Sequence, residues 1–200
     1  MSARSILIAS RNRGKIDEIK ATLHLPGIIF EIRPDLPDVV EDGHDFFENA
    51  LKKARACSQW SELPALADDS GLEVDALDGA PGIRSARFGA PPWTAERQIA
   101  ELLRVMAGRQ NRKARFVAVA TAARNGTVLA QGRGTVEGLI NEVPDGVDGF
   151  GYDPVFVYPP AGHTFARMTP DEKNRVSHRR EALERALTQL LTLSDSGLRV

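Results

Sequence analysis

The sequence predicts an α/β fold in which helices flank a mixed central sheet. Two observations support this. Along the chain, segments with apolar residues at helical spacing alternate with short apolar, β-rich runs, as is typical of α/β proteins. In the second half, Asn125-Gly126 separates two strand-like segments, and this dipeptide is a strong hairpin signal. Part of the sheet is therefore expected to be antiparallel.

The first elements are a strand, a turn and a helix. Residues 5–9 form the predicted strand, and helical spacing begins at Ile16 and ends at Pro26-Gly27. Residues 34–43 are rich in proline and acidic side chains, which indicates a loop. A second helix is predicted from Asp45.

The middle of the chain carries two acidic residues at a strand end. A four-residue buried strand runs into Asp68 and Asp69, and the segment LEVDAL resumes a strand before a Gly- and Pro-rich stretch. Thr94 can cap the next helix, for which Gly108 supplies a stop.

The second half supplies strands and the terminal helix. Strands are predicted over residues 115–123, 127–130, 134–140 and 154–158. The segment Thr169-Pro170-Asp171-Glu172 is a capping box with proline at the first helical position, and residues 182–191 have the apolar spacing of a final helix.

Size and charge exclude several classes of protein. The chain has 200 residues, which suits one domain, and its 26 basic and 27 acidic residues give no bulk charge for nucleic acid or an anionic membrane. Cys57 is the single cysteine, so no internal disulfide is possible. The apolar run at the N-terminus is too short for a signal peptide, and no run has the length of a membrane span. We expect a soluble, cytoplasmic protein with no nucleic-acid or membrane partner.

A polar turn follows the first strand. It reads Ser10-Arg11-Asn12-Arg13-Gly14-Lys15 and precedes a helix, so backbone N–H groups and the helix dipole can form a phosphate site there. It is not a Walker loop, because the leading glycine and the hydroxyl after the lysine are missing. A solvated basic turn is the alternative.

The acidic segment Asp68-Asp69-Ser70-Gly71 is a candidate metal site. Successive carboxylates at a strand end can direct different oxygens at one magnesium ion, while Gly71 lets the chain turn away. The alternative is that both residues cap a turn. The loop Glu41-Asp42 and the helix face with Glu48 and Lys53 can add a carboxylate and a cation, or can simply be solvated.

Two later segments can bind a flat ligand. Phe150-Gly151-Tyr152-Asp153 follows a glycine-rich loop that can wrap a ligand beneath an aromatic ring, although a core aromatic beside a tight turn is equally consistent. Lys173 and Ser177-His178-Arg179 can contact the edge of a base, or can be ordinary residues at a helix start. The sequence shows no Ser-His-Asp triad, CxxC pair or zinc motif.

Six blocks occur in an order that resembles a known family. They read ASRNRGK, FFENALKKA, ALADDSGLEVDALDGAPGIRSARF, ARFVAVA, GFGYDPVF and MTPDEKNRVSHR. In this order they resemble the Ham1-like nucleoside-triphosphate pyrophosphatases, the inosine or xanthosine triphosphate family. The resemblance extends from Ile6 to about Leu190.

The resemblance implies a function. It implies hydrolysis of the non-standard purine nucleoside triphosphates dITP, ITP and XTP to the monophosphate and pyrophosphate, with Mg²⁺ as cofactor. It also implies a homodimer of α/β subunits, each a single domain over residues 1–200 with two lobes around a substrate cleft.

The resemblance also implies roles for particular residues. Asp69 corresponds to the general base, and Glu41 and Asp69 to the metal ligands. The implied substrate-binding residues are Ser10, Arg11, Asn12, Arg13, Gly14, Lys15, Lys53, Ser70, Phe150, Gly151, Tyr152, Asp153, Lys173, His178 and Arg179. The chain departs from the family pattern at Arg84, Arg167 and Arg180, outside the core blocks.

Two other functions are alternatives to hydrolysis of non-standard purine nucleoside triphosphates. A nucleotide sensor that binds without hydrolysis is expected to lack the carboxylates Glu41, Asp68 and Asp69. A pyrophosphatase of the Maf type, acting on another set of nucleotides, is disfavoured by the SHR and FGYD blocks.

Overall fold

The computed structural model describes residues 4–23 and 27–195. The strands in this part of the chain are β1 (Arg4–Ile8), β2 (Ile28–Glu31), β3 (Ala65–Val74), β4 (Lys113–Arg124), β5 (Thr127–Ile140), β6 (Phe156–Tyr158) and β7 (His163–Thr164). The α-helices are α1 (Arg13–Thr22), α2 (Phe46–Ser61), α3 (Ala95–Val105), α4 (Pro170–Val176) and α5 (His178–Asp195). The strands form one seven-stranded sheet in the order β2-β1-β3-β4-β5-β6-β7. The predicted mixed α/β fold is confirmed.

The described chain divides into two units. The first comprises the residues up to Asp69, Ala118–Gly134, and the residues from His178 onward. The second comprises Ser70–Val117 and Thr135–Ser177. The boundaries therefore fall within β3, β4 and β5 and at the junction of α4 and α5.

The first unit contains the parallel part of the sheet. Strand β1 pairs in parallel with β2 and with β3, and Ile8 is in register with Leu66. Because β1 ends at Ile8, the turn after β1 and the residues that follow Leu66 lie at the same edge, where the carboxyl ends of parallel strands meet. The polar turn at residues 10–15 and the acids Asp68 and Asp69 are thus brought together.

Capping side chains determine where the helices of the first unit begin. Asn12 Oδ1 accepts a hydrogen bond from the Lys15 backbone N–H at 3.1 Å and caps α1. Asp45 Oδ1 accepts from the Glu48 N–H at 2.8 Å and caps α2, which begins next to Asp45, where the sequence predicted a helix. Helix α2 ends at Ser61 and is followed by its C-cap, Glu62, which has a left-handed conformation with φ 62°.

Two glycines allow α5 to lie directly on β5. A Cβ atom on Gly132 would lie 2.0 Å from the Ala182 carbonyl oxygen, and one on Gly134 would lie 2.0 Å from the His178 carbonyl oxygen. No other residue type fits at either position without moving the helix backbone. The first turn of α5, with His178 and Arg179, is thereby held against the sheet.

The second unit contains antiparallel pairing and an aromatic core. Strands β5, β6 and β7 pair antiparallel in succession. Phe116, Phe156 and Phe165 pack together with ring centroids 4.5–6.0 Å apart. The predicted capping box is present at the start of α4, where Thr169 and Glu172 satisfy each other's backbone N–H groups.

The structure corrects several predicted elements. Strand β3 continues through Asp68 and Gly71, so the predicted turn at Gly71 was wrong, and β5 is one strand where two were predicted. The last helical region is divided into α4 and α5 at Ser177. Strands β2 and β7 were not predicted, and both are short, with four and two residues. Pro26, predicted to end the first helix, lies outside the described residues.

Among the helices in the described part of the chain, none combines the length and apolar character needed to cross a lipid bilayer.

Candidate active site

The turn at residues 10–15 is organised by hydrogen bonds of its own. The Asn12 N–H donates to Ser10 Oγ at 3.3 Å, while the Asn12 side chain caps α1. Arg11 donates to the Asp38 carboxylate and to the Leu36 carbonyl oxygen. Arg13 and Gly14 form the first turn of α1, and Arg13 is exposed. Of this turn, Lys15 is the residue whose side chain reaches the acids of β3.

Asp68 is held between the buried cation Arg179 and the partly buried cation Lys15. Its Oδ2 atom lies 3.0 Å from Lys15 Nζ and 3.0 Å from Arg179 Nε. Arg179, which is 2 % exposed, also donates to the carboxylate of Glu18 on α1. Asp68 Oδ1 is buried and has no hydrogen-bond partner among the described residues.

Burial and ion pairing act in opposite directions on the pKa values of Asp68 and Lys15. Burial acts to raise the pKa of Asp68, but Lys15 and Arg179 outweigh it and hold that pKa far below its ordinary value. Burial is also the main cause of the lowered pKa of Lys15, to which the neighbouring cations Lys53 and Arg179 contribute. Asp68 is therefore ionised at neutral pH and retains Lys15 and Arg179 near the polar turn.

Asp69 is held by two side chains from one face of α2. Lys53 Nζ lies 3.1 Å from Asp69 Oδ1, and Asn49 Nδ2 donates to Asp69 Oδ2 at 3.2 Å. Asn49 and Lys53 are four residues apart, so they project from the same side of the helix. Lys53 Nζ also lies 2.9 Å from Glu41 Oε2 and thus bridges two carboxylates.

The two carboxylates that share Lys53 have different protonation behaviour. Burial raises the pKa of Asp69, and the neighbouring charge of Glu41 raises it further, against the opposing effect of Lys53. Burial acts in the same direction on Glu41, but the Lys53 ammonium lowers the pKa of Glu41 below its ordinary value. Asp69 is therefore the carboxylate of the pair that is better suited to accept a proton near neutral pH.

Adjacent acids on β3 contact different cations. Asp68 pairs with Lys15 and Arg179, whereas Asp69 pairs with Lys53. Successive side chains of a strand point to opposite faces, and β3 continues through both residues. Within β3, no turn directs the two carboxylates, and their direct ion pairs are with different cations, although the charge of Lys53 also acts on Asp68.

The second unit contains a buried ion pair beneath aromatic rings. Lys173 Nζ lies 2.6 Å from Asp153 Oδ2 and 4.6 Å from the centre of the Phe150 ring. The Phe150 N–H donates to the same Asp153 oxygen at 2.7 Å. Gly151, with φ +60°, lies in the tight turn between them. The predicted residues Phe150, Asp153 and Lys173 therefore form one cluster.

The other predicted site residues are Tyr152, Ser70 and His178. Tyr152 is buried in the apolar core of the second unit and donates its hydroxyl to the Ser85 carbonyl oxygen at 2.9 Å. Burial raises the pKa of its phenol. Ser70 is half-buried in β3, and His178 is buried at the first position of α5.

Sequence reasoning missed two members of the first cluster. Glu18 pairs with Arg179, and Asn49 contacts Asp69. Helical spacing could have indicated both, because Glu18 follows Lys15 by three residues and Asn49 precedes Lys53 by four. Glu48 instead accepts a hydrogen bond from the His44 N–H at 2.9 Å, beside the α2 cap.

The donor set around Lys53 fits a magnesium ion completed by a substrate. In the ranges 4–23 and 27–195, no group of three or more His, Cys, Asp or Glu side chains is arranged to hold a metal. Mg²⁺ is, however, commonly bound by one or two carboxylates together with water and substrate phosphates. Glu41 and Asp69 converge on a single ammonium and supply such a pair of hard oxygen donors.

Comparison with known proteins identifies the family. Residues 6–189 match the model of the Ham1 family. Among similar proteins is the dITP/XTP pyrophosphatase of Geobacillus kaustophilus, 44 % identical over 90 % of this chain and 91 % of that protein. The dITP/XTP pyrophosphatase of Symbiobacterium thermophilum is 44 % identical over 98 % of this chain and its whole length.

A solved structure supports the same assignment. The HAM1 protein from Coxiella burnetii aligns with a TM-score of 0.83 and 38 % identity, covering 96 % of this chain and 99 % of that one. The chain therefore belongs to the Ham1 family.

Proposed function

We propose that this protein hydrolyses the non-standard purine nucleoside triphosphates dITP, ITP and XTP to the nucleoside monophosphate and pyrophosphate, removing them from the nucleotide pool. The observation that carries the proposal is the Lys53 ammonium shared by Glu41 and Asp69, with Lys15 and Asp68 at the same strand edge. Two relatives that are 44 % identical are named dITP/XTP pyrophosphatases, which supports this substrate class.

The reaction requires charge neutralisation and an oriented water molecule. Water attacks the α-phosphorus and pyrophosphate leaves, so negative charge on several phosphate oxygens must be offset. Lys15 and Lys53 are partly buried, contact carboxylates and can offer their remaining N–H groups to phosphate. Asp69, with its raised pKa, orients the water and accepts its proton.

Mg²⁺ is proposed as the cofactor. Glu41 and Asp69 would hold it, because both are carboxylates that already face a common cation. When bound, the ion would neutralise charge on the phosphate oxygens. The protein's own part is to hold the two carboxylates in place through Lys53, which also lowers the pKa of Glu41 and so favours its ionised form.

Selection of the base requires hydrogen-bond donors that face a 6-oxo group, since adenine presents a donor at that position. The prediction that His178 and Arg179 supply these donors remains open, and the Arg179 guanidinium is already bound to Asp68 and Glu18. The cluster of Phe150, Asp153 and Lys173 offers an aromatic face, an acceptor and a donor. We therefore assign base binding in the first place to this cluster.

The decisive experiment measures pyrophosphate release from a panel that includes ITP, dITP, XTP, GTP and ATP. We expect turnover of the 6-oxo nucleotides ITP, dITP and XTP well above that of ATP. Binding without pyrophosphate release would favour a nucleotide sensor, and release from other nucleotides instead would favour a Maf-type enzyme.

A pair of variants tests the chemistry. Asp69→Asn is expected to lower turnover by at least about a hundredfold, because it removes the proton acceptor and a metal-site charge together. Asp17→Asn is the matched control, since Asp17 is an exposed residue of α1. Near-normal turnover of folded Asp69→Asn would contradict the assignment of Asp69.

A homodimer and a cytoplasmic location are also proposed. The dimer rests on the family resemblance, whereas the location rests on the sequence composition and on the buried free thiol of Cys57, which is consistent with a reducing compartment. Analytical ultracentrifugation tests the dimer directly, and a monomer at micromolar concentration would refute it.

A further inference from the structure

The side-chain amide of Asn49 makes two hydrogen bonds within the first unit, one through its oxygen and one through its nitrogen. It is 1 % exposed and lies in the first turns of α2. Its Oδ1 atom accepts from the Gly43 backbone N–H at 2.8 Å, and its Nδ2 atom donates to Asp69 Oδ2 at 3.2 Å. One buried side chain therefore joins the acidic loop to β3.

The loop contact is close because Gly43 has no side chain. A Cβ atom at this position would lie 2.7 Å from Asn49 Oδ1 and 2.8 Å from Glu48 Cβ. Any larger residue would push the loop away from α2. Two residues earlier in the same loop is Glu41, whose carboxylate contacts Lys53.

Only an amide in this orientation satisfies both contacts. The carbonyl oxygen must face the Gly43 N–H, and the amino group must face the carboxylate. The reverse orientation would place two donors together and two acceptors together. A carboxylate could serve Gly43 but not Asp69, and an apolar side chain could serve neither.

We propose that Asn49 is a positioning residue that holds Glu41 and Asp69 in one geometry. It fixes Asp69 Oδ2 from one turn of α2, while Lys53 holds Asp69 Oδ1 from the next turn. Through Gly43 it holds the loop that carries Glu41. This role rests on the proposed function, in which both carboxylates act in one active site.

The first test replaces Asn49 with leucine, which has a similar volume and no polar group. Loss of an outer hydrogen bond to a metal-binding or catalytic group typically costs about 10–100-fold in activity or affinity, so we expect kcat for ITP to fall by about 10–100-fold. KM for ITP should change by less than about threefold, because the phosphate-binding lysines remain. Amide hydrogen exchange should show faster exchange at Gly43.

A buried serine on the same helix is the matched control. Ser58 is fully buried, and its Oγ atom accepts from the Asn125 N–H at 3.1 Å. Ser58→Ala should lower the melting temperature but leave kcat and Gly43 exchange unchanged. If Asn49→Leu behaves in the same way, Asn49 is only a structural residue and the proposal is overturned.

A second variant keeps the test valid if Asn49→Leu does not fold. Asn49→Asp retains an acceptor for the Gly43 N–H but places a carboxylate oxygen against Asp69. We expect slow exchange at Gly43 to persist while kcat falls by about 10–100-fold. Wild-type kcat in this variant would overturn the proposal.

The outcome is separable from that of the proposed function. If the wild-type protein releases no pyrophosphate from any purine nucleotide, the proposed function fails. The exchange rates of Gly43 in the wild type, Asn49→Leu and Ser58→Ala still decide whether Asn49 anchors the loop, and unchanged Gly43 exchange in Asn49→Leu overturns the proposal by itself.

Discussion

Replacement of Arg179 by methionine is expected to destabilise the protein rather than to change its choice of nucleotide. The guanidinium is 2 % exposed and contacts two carboxylates, Asp68 at 3.0 Å and Glu18. Methionine fills much of the same volume but leaves both carboxylates without this cation. The effect is therefore that of removing one partner from a buried ion network.

The structure sets the expected size of the effect. Breaking a buried pair by removing one partner costs about 3–5 kcal/mol. In the variant, Asp68 retains its ion pair with Lys15 at 3.0 Å. The Glu18 side chain is 12 % exposed and can recover some hydration. We therefore expect a cost at the lower end of this range. A loss of about 3 kcal/mol corresponds to a melting temperature lower by about 6–12 °C for a chain of this size.

Arg180 offers a matched control one residue away. It pairs with Glu184 one helical turn along, and both side chains are substantially exposed. Arg180→Met is expected to change the free energy of unfolding by less than about 0.5 kcal/mol. Urea unfolding followed by circular dichroism measures both variants under one condition.

The result also separates two roles of Arg179. If Arg179 supports Asp68, the ratio of kcat/KM for ITP to that for ATP is preserved in Arg179→Met at a temperature where the protein is folded. If it contacts the base, as the sequence predicts, this ratio falls while stability is kept. Stability within about 0.5 kcal/mol of wild type, the range of an ordinary surface substitution, would refute the buried-network reasoning.

Two further predictions concern stability. Tyr152→Phe removes the hydrogen bond to the Ser85 carbonyl and should cost about 1 kcal/mol at neutral pH. The pKa of Tyr152 is raised in the folded state, so the stability that its phenol contributes is complete below the ordinary tyrosine pKa and is lost as pH rises. In urea unfolding, the difference in free energy of unfolding between the wild type and Tyr152→Phe should therefore shrink at strongly alkaline pH. An equal difference at all pH values would contradict this. Gly134→Ala would place a Cβ atom 2.0 Å from the His178 carbonyl oxygen, so we expect loss of most folded protein, whereas Gln131→Ala, at an exposed position of the same strand, should remain folded by circular dichroism. Equal melting temperatures for these two variants would show that α5 moves freely away from β5.

The sequence indicated local structure well where local chemistry decides it. The predicted caps at Thr94 and Thr169 are confirmed, because a capping side chain bonds to backbone only three residues away. The hairpin at Asn125-Gly126 is confirmed for the same reason, since both residues adopt positive φ. The six family blocks also agree with the match to the Ham1 family over residues 6–189.

The ends of the strands were harder to predict from the sequence. At Gly71 a turn was predicted because Asp, Ser and Gly are all favoured in turns. The strand nevertheless continues through Gly71 and past the end of β1, beside its other neighbour in the sheet, β4. Tertiary pairing of this kind outweighs intrinsic preference, and a single sequence does not reveal it.

The sequence by itself determined the class of fold, the family and the set of polar residues from which the site is built. Only the tertiary structure decided how those charges are paired. Arg179 and Asp68 are 111 residues apart in the chain, and Lys53 is shared by Glu41 and Asp69 from two other segments. Such pairs depend on the strand register, on the direction in which each side chain leaves its element, and on the close approach of α5 that Gly132 and Gly134 permit. Periodicity and capping act over a few residues, whereas burial of a charge depends on everything packed around it. The sequence therefore identifies the charged residues, and the tertiary structure determines which of them pair.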